Sequence, residues 1–462
     1  MNRITKRTWI VGLFLGVLLC GLLLFVGEYV TDAEKWVSFS GSPHLYNSSN
    51  IGCGTITDRN GQTLLSIAQG RTYSDNAQTR KSTLHWLGDR NGFINAAAVS
   101  TYAGAMAGYD RINGVYDASG EGGTARLTLS AKVQNAALEA MGSRKGTVAV
   151  YNYKTGEILC ALTTPTYDPE NVPDIASDTT GAYDGVYLNR FVQSSYVPGS
   201  IFKIVTLSAA LDCVPDIEEK TFPCKGKLTY GSGSNTEAVT CEKAHGNQNI
   251  RQAFANSCNC AFAQIAELVG KDNMVKYVHQ FQVTQRLSFD GITTAAGNYD
   301  ISNTGAVSFA WSCIGQHSDL VNPARYMTFM GAIANGGVGV EPYLMAQVEN
   351  GGKTTYQAKA VSTDRLMPES VAETVKAYMR NNVKTVYGDG NFGGLPVCAK
   401  SGTSQLGGDQ KSNAMFAGFV DSDQYPLAFM VVVENGGYGS ATCVPVLSQV
   451  LQACKTELDS RP

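Results

Sequence analysis

Three short groupings of polar residues have the types and spacing for chemistry. Pro198-Gly199 introduces Ser200-Ile201-Phe202-Lys203; Ser257-Cys258-Asn259 follows downstream, and Lys400-Ser401-Gly402-Thr403 comes later still. A serine hydroxyl is a weak nucleophile until a neighbouring base takes its proton. The apolar run after Lys203, with Ile204, Val205 and Leu207, predicts a helix that places Ser200 in its first turn. There, unpaired N–H groups and the helix dipole favour an anion. Residues i and i+3 share a helix face, so Lys203 can aim its amine at the Ser200 hydroxyl. Lysine is a base only when neutral, so burial and a nearby cation must lower its pKa. Lys400 is the candidate cation. The five histidines (His44, His85, His245, His279 and His317) form no recognisable triad, and this chemistry needs none.

Each grouping alone is a weak signal. Ser74-Asp75-Asn76 and Lys154-Thr155-Gly156 have similar composition, but both lie upstream of Ser200. The second falls where a hairpin turn is needed, and its glycine is turn chemistry. For Ser257-Cys258-Asn259 the competing reading is a small-residue packing surface, since Phe262, Ile265, Ala266 and Val269 continue a helical stripe.

The elements that must position these residues are legible in outline. Ser130 caps a helix whose apolar face includes Val133, Ala137 and Leu138, and Gly142 stops it. Segments 147–153 and 157–162 read as paired strands; 395–403, 415–420 and 427–433 read as three more. A helix follows from about Val444. Between the two strand groups the pattern is mainly helical. Strands, helices, then strands predict an α+β domain: a largely antiparallel sheet with helices on its faces. Upstream, roughly 30–124 reads as a small mixed region with a hairpin turn at Asn60-Gly61. Ser119-Gly120-Glu121-Gly122-Gly123 reads as a linker.

Composition narrows the class. The 462 residues carry 36 Lys plus Arg against 39 Asp plus Glu, a net charge of −3 that argues against nucleic-acid binding. At 44% hydrophobic and 16% charged the chain is too apolar for disorder. No repeat of 20–50 residues marks a solenoid or propeller. Trp9 to Val26 is an unbroken apolar or glycine stretch, long enough to span a bilayer as a helix. Arg3, Lys6 and Arg7 precede it, while Glu28, Asp32 and Glu34 follow. The positive-inside rule then places 1–8 in the cytoplasm, 9–27 across the membrane and the remainder outside. A cleaved signal would need a shorter apolar region and an A-x-A-like site. A lipoprotein signal ending at Cys20 would want a small residue where Leu19 stands. Of 12 cysteines, 11 lie outside the anchor, where disulfides are permitted but an odd number cannot all pair internally. Cys224 and Cys241 bracket a loop and are the candidate pair. A zinc site from Cys224, Cys241 and His245 lacks C-x-x-C spacing and an obvious fourth ligand, so no metal or cofactor is expected.

With the three groupings in this order, the chain resembles the penicillin-binding proteins, whose S-x-x-K, S-x-N and K-[ST]-G elements they match. The resemblance covers about 125–455. It includes Leu127-Thr128-Leu129-Ser130 with its helix, then Ile314-Gly315-Gln316, Asn322-Pro323 and Ala334-Asn335-Gly336-Gly337. Gly54-Thr55-Ile56 and Asp58-Arg59-Asn60-Gly61 are similar to a segment of the class B, monofunctional members, with Cys53 where that family usually has Arg. The short region before the catalytic part resembles the compact penicillin-binding protein A type.

The implied fold is an antiparallel five-stranded sheet flanked by helices, with an all-helical lobe, over 125–462. A small pedestal or dimerisation-like domain over 28–124 and one transmembrane helix would precede it. The implied activity is that of a serine D,D-transpeptidase cross-linking peptidoglycan through a Ser200 acyl-enzyme, with β-lactams as covalent inhibitors. Carried over by motif position, Lys203 is the general base and Ser257 relays a proton to the leaving amine. Asn259 orients the substrate amide, and Lys400, Ser401, Gly402 and Thr403 bind the terminal carboxylate. The backbone N–H groups of Ser200 and Thr403 would form the oxyanion hole. Implied partners are stem peptides, the cytoplasmic membrane and a SEDS-family glycan polymerase. A D,D-carboxypeptidase, a β-lactamase or a non-catalytic scaffold of a cell-wall complex are the alternatives. A β-lactam sensor would need a larger cytoplasmic effector than eight residues.

Overall fold

The computed structural model describes residues 2–37, 54–67, 70–107, 109–110, 114–115, 122–232, 236–405 and 411–460. His44, Cys53 and positions 119–121 of the expected linker lie outside them.

In chain order, the elements that bear on the site begin with helix α1 (Asn2–Val37). Strands β1 (Thr55–Thr57), β2 (Thr63–Ser66), β3 (Thr72–Tyr73) and β4 (Thr124–Leu127) follow. Helix α2 (Ala131–Met141) leads into β5 (Gly146–Asn152) and β6 (Ile158–Thr164). Next come α3 (Lys203–Cys213), then β7 (Phe222–Cys224), β8 (Lys227–Tyr230), β9 (Glu237–Thr240) and β10 (Gly246–Gln248). Helices α4 (Asn259–Val269) and α5 (Pro323–Ala334) precede β11 (Met345–Asn350) and β12 (Lys353–Gln357). The chain closes with β13 (Val397–Ser404), β14 (Asn413–Val420), β15 (Leu427–Val433) and α6 (Gly439–Asp459).

The main sheet has the order β13-β14-β15-β5-β6, every pair antiparallel. Both of its faces are covered, which explains why its strands are apolar nearly throughout. Successive strand residues point to opposite faces. Ala149 and Tyr151 join the core shared with Ile204, Val205 and Leu207 of α3. Val148 and Val150 join Val133 and Ala137 of α2 and Leu447 and Val450 of α6 on the other side. Helix α2 matches its sequence expectation: the Ser130 hydroxyl accepts from Val133 N–H at 3.3 Å, and Gly142 ends it.

The second sheet joins distant parts of the chain, with order β12-β11-β4-β1-β2-β3. Strand β4 pairs in parallel with β1 and antiparallel with β11. The unit expected over 28–124 therefore shares its sheet with strands from beyond 124. Asp58 shows how the two are held: its carboxylate accepts from Asn60 and Gln62 N–H, closing the hairpin turn, and from Ala131 N–H at the start of α2. Arg59 reaches Glu157, and Asn60 donates to Glu457 of α6 at 2.7 Å. The stretch between the two strand groups is less uniformly helical than its pattern predicts. The ribbons β8–β9 and β7–β10 lie in it, too short and too mixed in burial to leave a sustained period.

Candidate active site

Pro198 and Gly199 set the position of Ser200. Gly199 has φ +55°, and a Cβ there would stand 2.6 Å from the Thr403 carbonyl oxygen, so only glycine fits. Ser200 lies in a 3₁₀ turn, Gly199–Phe202, that passes into α3 at Lys203. The helix proper thus starts three residues later than the pattern suggests. The i, i+3 alignment survives because 3₁₀ geometry stacks such residues. Lys203 is fully buried, and its Nζ lies within hydrogen-bond distance of Ser200 Oγ at 3.1 Å, Ser257 O at 2.6 Å, Ser257 Oγ at 3.2 Å and Asn259 Oδ1 at 2.7 Å.

Ser257 does not lie on a helix packing face. It occupies the turn before α4 with φ +52°, a conformation costly for a residue with a Cβ. The stripe of Phe262, Ile265, Ala266 and Val269 is buried as expected, but it belongs to α4, which starts after the motif serine. The Cys258 sulfur caps that helix by accepting from Ala261 N–H at 3.4 Å. Asn259 donates from Nδ2 to Thr240 O at 2.9 Å, tying the turn to the end of β9.

Lys400 arrives on the edge strand β13. Its Nζ donates to Ser257 Oγ at 3.0 Å and to Ser401 O at 2.9 Å. Gly402 lets this strand lie against the serine turn, since a Cβ would stand 2.8 Å from Pro198 O. Burial pushes Lys203 well below its ordinary range, and the Lys400 charge adds to that. Burial alone lowers Lys400 to about 7. Both amines lie over phenyl rings, Phe262 for Lys203 and Phe254 for Lys400.

Ser200, Lys203, Ser257, Asn259 and Lys400 therefore converge, and Ser401, Gly402 and Thr403 line the same strand. Two supports had no site role in the sequence reading: Tyr387, which it did not name, and Gln316, which it named only within a motif. Tyr387 OH accepts from Ser401 N–H at 3.0 Å and shares a hydrogen bond with Ser401 Oγ at 3.0 Å. Gln316 donates to Thr403 O at 2.8 Å. Nothing local to Tyr387 signals its role. Both upstream look-alikes are structural: Asn76 caps the helix Ala77–Leu87, and Gly156, at φ +89°, closes the β5–β6 turn.

The expected Cys224–Cys241 disulfide is not formed; both are free thiols. Cys224 Sγ lies 3.5 Å from His245 Nδ1, and Cys241 Sγ lies 3.7 Å from Cys258 Sγ. A fourth potential ligand that the sequence did not reveal, Cys258, joins that set: the donor atoms of Cys224, Cys241, His245 and Cys258 all lie within 4.8 Å of one another.

Comparison with known proteins follows the same lines. A family model described as the penicillin binding protein transpeptidase domain matches residues 146–452. Stage V sporulation protein D of Bacillus subtilis is 28% identical over 362 residues, covering 73% of this chain and 54% of the relative, so this chain spans about half of that protein. The peptidoglycan D,D-transpeptidase PbpA of Mycolicibacterium smegmatis is 26% identical over 367 residues, 73% of each chain. Among solved structures, PBPA from Mycobacterium tuberculosis shares the fold with a TM-score of 0.73 at 22% identity, over 87% of this chain and 99% of that one. The same M. tuberculosis protein is also known as a penicillin G acyl-enzyme complex, with a TM-score of 0.70.

Proposed function

This chain belongs to the penicillin-binding protein transpeptidase family, and from that premise we propose that it is a peptidoglycan D,D-transpeptidase working through a Ser200 acyl-enzyme. The observation that carries the reading is the placement of a buried lysine amine 3.1 Å from the Ser200 hydroxyl and 3.2 Å from that of Ser257.

Ser200 Oγ attacks the carbonyl carbon of the penultimate D-Ala of a stem peptide while neutral Lys203 takes the hydroxyl proton. The negative charge on the carbonyl oxygen meets the N–H groups of Ser200 and Thr403. Thr403 suits this task because Gln316 binds its carbonyl from outside the sheet, and a residue's N–H and C=O lie on the same edge of a strand. Each such donor commonly contributes about 10²–10³ in rate. The proton held by Lys203 passes through Ser257 to the leaving nitrogen, the peptide C–N bond breaks, and the terminal D-Ala departs. An acceptor amine then attacks the ester, and the proton it loses returns to Ser200 by the reverse route. Asn259 orients the substrate amide. Lys400, with Ser401 and Thr403, meets the terminal carboxylate.

A β-lactam follows the first step and leaves an acylated Ser200. Incubation with fluorescent penicillin should label the wild type and leave Ser200→Ala unlabelled with its fold retained. A labelled Ser200→Ala protein whose signal disappears on substitution of Ser74 would overturn the assignment. Transfer of the acyl group to an added amine, and not to water, separates a transpeptidase from a carboxypeptidase.

The proposed organisation keeps 1–8 in the cytoplasm, 9–27 across the membrane, 28–124 as a small outer region and 125–462 as the catalytic part. The supporting observation is that, among the described residues, one helix, Ile4–Ala33, is long and apolar enough to cross a bilayer; an 18-residue stretch within it has mean hydropathy 2.8, with Lys6 and Arg7 near the helix start and Glu28 and Asp32 near its end. By family resemblance, a membrane glycan polymerase of the SEDS family is the proposed supplier of strands.

A further inference from the structure

The turn that carries Ser257 and Asn259 is backed by a cluster that the reaction does not use. Cys224 ends β7, Cys241 follows β9, His245 precedes β10, and Cys258 sits between the two motif residues. Cys224 and Cys258 are buried, while Cys241 and His245 are half-buried. With Zn–S near 2.3 Å and Zn–N near 2.0–2.1 Å, a tetrahedral site has edges of about 3.8 Å between sulfurs and about 3.6 Å from sulfur to nitrogen. Two edges here are 3.7 Å for Cys241–Cys258 and 3.5 Å for Cys224–His245 Nδ1, and all four atoms lie within 4.8 Å of one another. A disulfide needs sulfurs about 2.0 Å apart, so this spacing is that of co-ligands.

The surroundings also suit bound thiolates. Cys241 Sγ accepts from Cys260 N–H at 3.2 Å and Cys258 Sγ from Ala261 N–H at 3.4 Å, both donors belonging to the first turn of α4. Such outer hydrogen bonds orient metal ligands and offset their charge. Soft thiolates with one imidazole, all in tetrahedral reach, favour zinc over magnesium or calcium.

We propose that Cys224, Cys241, His245 and Cys258 bind one zinc ion, and that this ion holds the Ser257–Asn259 turn in its active shape. Binding releases the three thiol protons to solvent and leaves the complex with one net negative charge. The ion fastens ribbons β7–β10 and β8–β9 to the start of α4. It thereby supports the left-handed backbone at Ser257 and the Asn259–Thr240 hydrogen bond. The four ligands are positioning residues: none of them touches Ser200 or Lys203 among the described hydrogen bonds.

The test uses the full chain in detergent. Elemental analysis should find a single zinc per chain, and exchange with cobalt should produce thiolate-to-metal charge transfer with tetrahedral visible bands. Cys241→Ser should lose the metal, Cys241→His should retain it, and Cys213→Ser should behave as wild type. Chelation should lower the melting temperature and slow penicillin acylation about tenfold or more, with both restored by zinc. The effect on acylation rests on the proposed function, but metal content and cobalt spectrum do not, so the two can fail separately. A wild-type protein that neither contains nor takes up zinc or cobalt would overturn the site, as would a Cys241–Cys258 disulfide in unreduced peptide maps. Retention of zinc by a Cys224→Ser/Cys241→Ser double variant would place the metal elsewhere. Unchanged acylation after complete metal removal would refute the positioning role. If Cys241→Ser does not fold, the wild-type metal content and the chelation series still decide the question.

Discussion

Lys203 and Lys400 are both buried, yet the proposed reaction asks them for opposite protonation states. Lys203 must accept a proton, and burial beside a second cation favours its neutral form. Lys400 must meet a carboxylate as a cation, although burial lowers it to about 7. Its charge is therefore lost as pH rises through about 7 in the free enzyme. The second-order acylation rate constant, which reports free-enzyme protonation, should fall on that alkaline side. Arginine stays charged throughout, so Lys400→Arg should remove the alkaline fall at a cost of about 10–10² in rate from altered reach. Lys203→Arg should lose about 10²–10⁴, because an arginine cannot serve as base. Acylation measured from pH 6 to about 10 checks both. A dead Lys400→Arg beside an active Lys203→Arg would reverse the two roles.

Among the elements, the helix Ala77–Leu87 shows how packing turns an ordinary side chain into a pH-dependent one. His85 in its last turn is buried, its Nε2 lies 2.8 Å from Val186 O, and burial lowers its pKa to about 4. Between about pH 4 and 6.5 the unfolded chain binds a proton that the native His85 refuses. Stability therefore rises with pH across that window and is lost as pH falls through it, by about 3 kcal/mol at most from this residue. Chemical denaturation of the full chain at pH 4.5 and 7 should show a smaller acid loss for His85→Gln than for wild type. An equal loss would assign the acid sensitivity to other groups. The same helix begins on Asn76, whose side chain accepts from Gln78 and Thr79 N–H. A triplet that imitates an active-site motif is thus a helix cap, and it was separable from the true one by order along the chain.

At the scale of the whole molecule, one apolar helix precedes a body in which two sheets share the same core. Protease added to protoplasts should digest the chain beyond about Glu28, and a high-salt wash should leave the protein with the membranes. A soluble form starting after Gly27 and free in the medium would mean that the helix is cleaved. The composite sheet β12-β11-β4-β1-β2-β3 also makes the strands before residue 124 and those from beyond it interdependent, since β4 is hydrogen-bonded on both edges.

Read alone, the chain determined what depends on near neighbours or on strong periodicity. Pro198-Gly199 and the apolar run after Lys203 placed the serine at a helix start, Ser130 and Gly142 bounded α2, and nearly continuous apolar runs marked the five strands. Motif order identified the three groupings that converge. Only the tertiary structure decided which distant groups meet. Tyr387 reaches Ser401, Asn60 reaches Glu457, and Cys258 completes a four-ligand cluster with Cys224, Cys241 and His245. The physical reason is the same in each case. A cap, a turn or an i, i+3 pair is set by bonds only a few residues long. A contact across the fold is set by how helices and sheets close over a shared core, and no local pattern of side chains encodes that distance.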